Sequence, residues 1–225
     1  MARTGIVVAQ LGGPERLADV EPFIRAIFAD PLLVPLPGGP RTRSVVSTLV
    51  ARLRAPRSRS YYDAIGGGSP IIATTRRQAD ALRAELARRG HDVIVAVAHR
   101  YSRPDTADAV DAMRAAGVDG VVLLPLFPQY SGSTTGSSEA ELRRLLADRA
   151  PDLELGVVRS WCDHPSYLDA LARLVEEMLA ELPDDELSSG LLVFSAHGLP
   201  QRNVDRGDPY PEEVAATVAG VVERL

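Results

Sequence analysis

The chain has 225 residues, of which 45% are hydrophobic and 24% are charged, which is the composition of a globular protein. This excludes a disordered chain, a collagen or a coiled coil as the overall class, and no apolar run approaches the ~18 residues of a membrane span. The net charge of −5 argues against general nucleic-acid binding. The single cysteine, Cys162, excludes an internal disulfide and a cysteine-ligated iron–sulfur cluster, and it suits a reducing cytoplasm. All 25 basic residues are arginine, so lysine-based Schiff-base and P-loop chemistry is excluded.

Short apolar runs alternate along the chain with longer segments that have helical spacing. The first four residues lead directly into the first run, so we predict no signal peptide. The runs, which are typical of strands buried on both faces, are 5–10, 93–98, 121–127, 155–159 and 191–194. The helical segments are 72–89, 104–116, 137–150 and 167–182. Strand–helix alternation predicts an α/β fold with parallel sheets flanked by helices. A polar break at 148–152 predicts a first domain over 1–152 and a second over 153–225.

Two loops are candidates for ligand binding. In α/β proteins ligands usually bind at the carboxyl ends of the strands, in the loops that lead into the following helices. The first, 62–70, reads YDAIGGGSP, and its glycines permit either a close approach to a ligand or a flexible turn before a helix capped by Ser69. The second, 125–137, reads PLFPQYSGSTTGS, and it is dense in hydrogen-bonding groups. Both loops are candidate binding segments, and a purely structural interpretation of each stays open.

Two apolar runs are followed closely by side chains that could act in catalysis or ligand binding, His197 and Arg100. His197, in SAHGLP at 195–200, has small neighbours, and a neutral imidazole can ligate a metal or accept a proton near neutral pH. Arg100, beside Tyr101, suits a carboxylate or phosphate group on a ligand. Serine hydrolysis is disfavoured because the chain has no Gly-x-Ser-x-Gly elbow.

Five motifs together resemble the ferrochelatases, the terminal enzymes of haem synthesis. In chain order they are LGGPE at 11–15, YxxIGGGSP at 62–70, PQYSGSTTGS at 128–137, SAHGLP at 195–200 and RGDPYPEE at 206–213. The form of the third motif resembles the branch of the family that uses protoporphyrin. The resemblance implies two Rossmann-like domains with parallel sheets, the second incomplete, and insertion of ferrous iron into protoporphyrin IX to form protohaem.

The resemblance also implies roles for particular residues. His197 corresponds to the metal-site histidine, which is proposed to accept protons or deliver iron, so it is both the catalytic and the metal candidate. The residues that match motif positions near the porphyrin are Tyr62, Ser69, Arg100, Tyr101, Tyr130 and Ser131, and among them Arg100 suits a propionate. Iron is then a substrate, with no prosthetic group and no iron–sulfur cluster expected from this chain.

Ferrochelatases continue well past the RGDPYPEE motif, so the resemblance implies that this chain is an N-terminal portion. The expected missing segment carries the acidic residue that faces the histidine across the metal site. Whether the chain inserts iron by itself therefore stays open, and we expect chain 1–225 alone to bind porphyrin weakly or not at all and to insert iron no faster than the spontaneous rate. The alternatives are a non-catalytic porphyrin- or haem-binding fragment and a related chelatase for another tetrapyrrole or metal.

The stretch 31–59 contains several arginines and no acidic residue. Its apolar residues share one face of a predicted helix: Val45, Val46, Leu49, Val50 and Leu53. This segment is either a helix that covers the cleft or a basic amphipathic lip that meets anionic lipid. We expect a cytoplasmic protein with possible peripheral contact to the inner face of the membrane; the oligomeric state stays open.

Overall fold

The computed structural model describes residues 3–34, 39–183 and 190–225. The chain divides into two compact units. The first comprises Met1–Leu126 and Gly132–Val158, and the second comprises Phe127–Ser131 and Arg159–Leu225. A strand that begins at Glu154 belongs to the sheet of the first unit, and the domain boundary after residue 152 stays a prediction.

A four-stranded parallel sheet in the order β2-β1-β3-β4 is the centre of the first unit. The strands are β1 (Thr4–Gln10), β2 (Val93–His99), β3 (Gly120–Pro125) and β4 (Glu154–Val157). Val7 in the middle of β1 aligns with Ala96 of β2 and with Leu123 of β3. Four of the five predicted strands are therefore present, and the predicted α/β class with a parallel sheet is confirmed.

The described residues of the first unit form five helices. They are α1 (Val20–Ala29), which follows a 3-10 turn at Leu17–Asp19, α2 (Pro40–Ala64), α3 (Ile71–Arg88), α4 (Thr106–Ala115) and α5 (Thr135–Arg149). Helix α4 begins with a capping box in which Asp105 accepts a hydrogen bond from the backbone N–H of Asp108. Helix α3 begins after Pro70 rather than at it, although Ser69 Oγ still accepts the N–H of Ile71 at 3.3 Å.

Apolar side chains cover both faces of the sheet. On one face Val7 and Leu123 pack with Val110 and Met113 of α4 and with Leu142 of α5. On the other face Val8 and Val95 pack with Ala79 of α3. Burial on both faces explains why β1 to β3 have continuous apolar sequences rather than alternating ones.

The second unit contains three helices in its described residues. They are α6 (Pro165–Leu179), the short α7 (Gln201–Val204) and α8 (Tyr210–Val222). Its small core consists of Leu168 and Ala172 from α6 and Val221 from α8.

The prediction of a strand at 191–194 was wrong. The backbone there is irregular, and Leu191 and Val193 are 87% and 71% exposed. A strand needs a neighbouring strand for its backbone hydrogen bonds, and the described residues of the second unit contain no strand to supply one. An apolar run alone therefore does not form a strand here.

Among the described helices α2 is the longest, and its exposed surface carries arginines together with the apolar residues Val45, Leu49 and Leu53. No helix in the described ranges is both long and apolar enough to cross a membrane.

Candidate functional site

The sequence candidates lie in two groups, one in each unit. In the first unit they follow β2 or precede α3, which places them near the carboxyl edge of the sheet or in the loop before a helix. In the second unit they lie in the segment Phe127–Ser131 and at His197. Each group is described separately below.

Asp30 is the centre of the first group. Its side chain is only 4% exposed, and its Oδ2 accepts hydrogen bonds from Arg100 Nη2 at 2.6 Å and from the Tyr101 hydroxyl at 2.8 Å. Ser137 Oγ lies 3.3 Å from the same oxygen and 2.9 Å from Arg100 Nε. The loop after β2, the end of α1 and the first turn of α5 are thus joined through one carboxylate.

The predicted pair Arg100 and Tyr101 is therefore already engaged within the protein. Burial, and then the hydrogen bond to Asp30, raise the pKa of Tyr101, so its phenol stays protonated and acts as a donor. Arg100 uses two of its five N–H donors in these contacts, and its side chain is 18% exposed. A contact between its other donors and a propionate stays a prediction.

Tyr62 and Ser69 lie on either side of the glycine turn. Tyr62 packs beside Val20, Ile24 and Ala51, and burial raises its pKa. The Ser69 N–H donates to the carbonyl of Pro14 at 2.7 Å, which ties this loop to the LGGPE motif.

Glycine is required in this loop for two reasons. Gly67 has a φ of +92°, which favours glycine, and a Cβ on Gly68 would overlap the carbonyl oxygen of Glu15. The close approach at Gly68 is thus made to the protein's own backbone. Tyr62 and Ser69 are both partly buried, and their contacts with porphyrin stay predictions.

The Gln129–Ser131 segment of the second unit is held by α8 and its approach loop. Gln129 Nε2 donates to Thr217 Oγ1 at 2.9 Å, and the Tyr130 N–H donates to Glu213 Oε2 at 2.7 Å. Ser131 Oγ donates to Asp208 Oδ2 at 2.9 Å.

The ring of Tyr130 has a cationic partner. The guanidinium carbon of Arg159 lies 4.7 Å from the ring centroid, and Arg159 Nη2 donates to the Tyr130 hydroxyl at 3.1 Å. The tyrosine is thus fixed at its backbone, its ring and its hydroxyl.

His197 lines a cavity of about 310 Å³ in the second unit, together with Gln129, Tyr167, Tyr210 and Thr217. Its side chain is exposed, and its Nδ1 lies 2.7 Å from the carbonyl oxygen of Gly198. A carbonyl oxygen only accepts hydrogen bonds, so in the neutral imidazole Nδ1 carries the hydrogen and Nε2 carries the lone pair. Among the described residues there is no group of three side chains placed to hold a metal ion.

Three polar residues of these clusters were not singled out from the sequence: Asp30, Glu213 and Thr217. Each is defined by contacts with residues far away in the chain, such as Arg100 for Asp30 and Tyr130 for Glu213. Of these three residues, Glu213 could have been identified from the sequence, because it lies in the RGDPYPEE motif.

A fourth such residue is His99, the last residue of β2. It is completely buried, and neither of its ring nitrogens has a hydrogen-bond partner within the described part of the chain. Burial lowers the pKa of His99, and the nearby carbonyls of Pro104 and Arg103 oppose that shift in part.

Comparison with known proteins assigns the chain to a class. The family model for Ferrochelatase matches residues 3–225. Ferrochelatases of Synechococcus sp. (strain CC9311) and Geotalea daltonii are each 42% identical to the chain, over 100% and 99% of its length. The ferrochelatase of Synechococcus sp. (strain JA-3-3Ab) is 44% identical over 97% of the chain.

The chain belongs to the ferrochelatase family. It spans 58% of the length of the Synechococcus CC9311 protein, 68% of the Geotalea protein and 64% of the JA-3-3Ab protein.

Proposed function

We propose that this protein inserts ferrous iron into protoporphyrin IX and so forms protohaem in the last step of haem biosynthesis. The observation that carries the proposal is His197, whose Nε2 lone pair is available at the wall of a cavity in a chain of the ferrochelatase family. Iron is a substrate of this reaction rather than a resident cofactor.

The chemistry requires a proton acceptor. A free porphyrin carries two inner N–H groups, and both protons leave when the metal binds the four nitrogens. A neutral imidazole oriented through Nδ1 can take such a proton at Nε2, and the carbonyl of Gly198 stabilises the imidazolium that forms. His197 is therefore proposed as the catalytic base and as the protein group nearest the metal.

The remaining motif residues are proposed to bind and orient the porphyrin. Arg100 and Tyr101 are held rigidly by Asp30, and Tyr130 is held by Arg159 and Glu213. Within each unit, side chains that are held rigidly favour binding of a distorted ring that resembles the transition state. Tyr62, Ser69 and Ser131 are proposed to shape the pocket or to form hydrogen bonds with the substrate.

An anaerobic assay with protoporphyrin IX and ferrous iron tests the function. The proposed function predicts that protohaem forms faster than in a protein-free control, with no other metal or cofactor added, whereas the sequence-based expectation for this chain by itself is the spontaneous rate. A rate equal to the spontaneous rate, in a protein that binds porphyrin, would contradict iron insertion.

A second candidate is porphyrin or haem binding without metal insertion. It is favoured by one observation: no carboxylate lines the cavity of His197 among the described residues. The same assay separates the two, because a binder shifts the porphyrin absorption without forming protohaem. A related chelatase would instead turn over when another divalent metal replaces ferrous iron, or another tetrapyrrole replaces protoporphyrin IX, in the same assay.

We also propose peripheral contact of a cytoplasmic protein with an anionic membrane. Three apolar residues at successive turns of α2, Val45, Leu49 and Leu53, are 69%, 57% and 73% exposed. Arg52 and Arg54 lie beside them on the exposed surface, so apolar and basic groups are presented together. Residues 35–38 of the predicted lip at 31–59 lie outside the described residues.

A further inference from the structure

The RGDPYPEE motif at 206–213 has no role in the function proposed above. It contains Asp208 and Glu213, which lie just before α8 and in its first turn. Both carboxylates point to the same short segment, Phe127–Ser131, which belongs to the second unit although it follows β3 directly in the chain.

Glu213 makes the strongest of these contacts. One oxygen, Oε2, accepts the backbone N–H of Tyr130 at 2.7 Å and the hydroxyl of Ser160 at 2.7 Å. Hydrogen bonds to a carboxylate are shorter and stronger than those between neutral groups. Because the donor on Tyr130 is a backbone group, Glu213 fixes the path of the chain and not merely a side chain.

The next turn of α8 continues the same contact. Thr217 lies four residues after Glu213, accepts Gln129 Nε2 at 2.9 Å, and donates to the carbonyl of Cys162 at 2.8 Å. Gln129 and Thr217 both line the cavity that contains His197. The bond between Gln129 and Thr217 therefore connects α8 to the wall of that cavity, and the bond between Tyr130 and Glu213 holds the residue next to Gln129.

We propose that Glu213 is a positioning residue, which holds the Gln129–Tyr130 backbone and thereby sets the wall of the His197 cavity. The consequence for porphyrin rests on the function proposed above. The positioning of the Gln129–Tyr130 backbone does not rest on that function, because it follows from the contacts of Glu213 with Tyr130 and Ser160 alone.

The protein has a built-in reporter for this segment. Trp161 is its only tryptophan. The backbone N–H of Trp161 donates to the carbonyl of Pro128 at 2.9 Å, and its ring lies edge-on to Tyr167 with 4.9 Å between centroids. Release of the segment changes the surroundings of this indole, so its emission reports the event without any need for activity.

The experiment compares three substitutions of Glu213 with a matched control. Glu213→Gln keeps an oxygen at the same reach, Glu213→Asp withdraws the carboxylate by one methylene, and Glu213→Ala removes it. Glu212→Gln is the control, because Glu212 is an exposed neighbour on the same turn. Glu213→Asp covers the case in which the alanine variant fails to fold, as judged by circular dichroism.

We expect acrylamide quenching of Trp161 to increase in the Asp and Ala variants and to stay near the wild-type value in Glu213→Gln and Glu212→Gln. We expect the Kd for protoporphyrin IX, read from porphyrin fluorescence, to rise at least about fivefold in the Asp and Ala variants. Rescue by glutamine distinguishes positioning from a need for charge at this site.

Two results would overturn the proposal. One is wild-type quenching of Trp161 in folded Glu213→Asp and Glu213→Ala. The other is an altered Trp161 with an unchanged Kd for porphyrin. If no form of the protein binds porphyrin while the quenching changes as expected, the positioning of the segment is upheld and the proposed function fails.

Discussion

At the scale of single residues, the first unit depends on a few polar groups that are buried together. Asp30 satisfies three donors from two distant parts of the chain, and its ion pair with Arg100 is shielded from solvent. Removal of one partner of a buried pair leaves the other charge uncompensated, which costs far more than loss of an exposed pair. These residues differ in this respect from the many arginine–carboxylate pairs on the surface.

We predict that Asp30→Asn lowers the free energy of unfolding by about 3 kcal/mol, because Arg100 then stays buried without its counter-charge. Asp80→Asn is the matched control: its pair with Arg83 is 68% and 50% exposed, and its loss is expected to cost less than about 0.5 kcal/mol. Urea unfolding followed by circular dichroism measures both. Equal effects would show that the buried pair contributes no more than a surface pair.

A second residue-scale prediction concerns His99 and pH. Its pKa is lowered in the folded protein, so between that value and the ordinary value of ~6.5 the unfolded chain binds more protons. The stabilisation from neutral His99 is complete above ~6.5 and is lost as the pH falls below it, at up to about 1.4 kcal/mol per pH unit. Arg76 lowers the pKa further and Glu15 raises it, both through charge.

Urea midpoints at pH 7.5 and 5.5 test this. We expect the wild type to lose more stability over this range than His99→Leu, which has no imidazole to charge. His91→Leu, at an exposed position, should lose as much as the wild type. The same pH dependence in all three proteins would rule out His99 as the source.

At the scale of elements, the local pattern predicted β1, β2 and β3 within a residue or two, because each is apolar throughout and pairs with a neighbour in the sheet. The run at 191–194 has the same composition and is irregular, because pairing is a property of the surrounding chain and not of the run. The cluster at Asp30 was missed for a related reason: its partners are about 70 and 107 residues away. His197 and the loops could be identified because their motifs are local.

Helix α2 supports one element-scale prediction. Replacement of Arg52, Arg54 and Arg57 with glutamine should weaken sedimentation with anionic liposomes at low salt, because ~1 kcal/mol of attraction is lost per arginine near the surface. The control is the same replacement at the exposed Arg77, Arg88 and Arg89, in or just after α3, which removes equal charge. Added salt should weaken binding of the wild type.

If the wild-type protein does not sediment with such liposomes at low salt, the proposed membrane contact is wrong. The alternative given above, a helix that covers the substrate cleft, then stands. If the α3 set weakens binding as much as the α2 set, the attraction is a general effect of charge and the basic lip is not a specific contact.

At the scale of the whole molecule, the two units differ in how much core they have. The first has a sheet with apolar clusters on both faces, whereas the cluster of the second contains three buried residues, Leu168, Ala172 and Val221. The second unit also exposes Met178, Leu191 and Val193. At ~25 cal/mol per Å², leaving roughly a few hundred Å² of apolar surface exposed reduces the free energy of unfolding by several kcal/mol. That loss is comparable with the stability of a domain.

We therefore predict that the second unit unfolds first. Trp161 lies in that unit and is the only tryptophan, so its fluorescence should change at a lower urea concentration than the circular dichroism signal, which includes the sheet and the five helices of the first unit. Coincident transitions by both probes would indicate a single cooperative unit.

The role of His197 is the central claim, and one comparison tests it most directly. In an anaerobic assay with protoporphyrin IX and ferrous iron, His197→Ala should reduce insertion to the spontaneous rate while the Kd for porphyrin stays within about twofold of the wild type, since the other residues that line the cavity are unchanged. His91→Ala, at an exposed histidine of the first unit, should insert iron like the wild type. Wild-type turnover by His197→Ala would contradict the account.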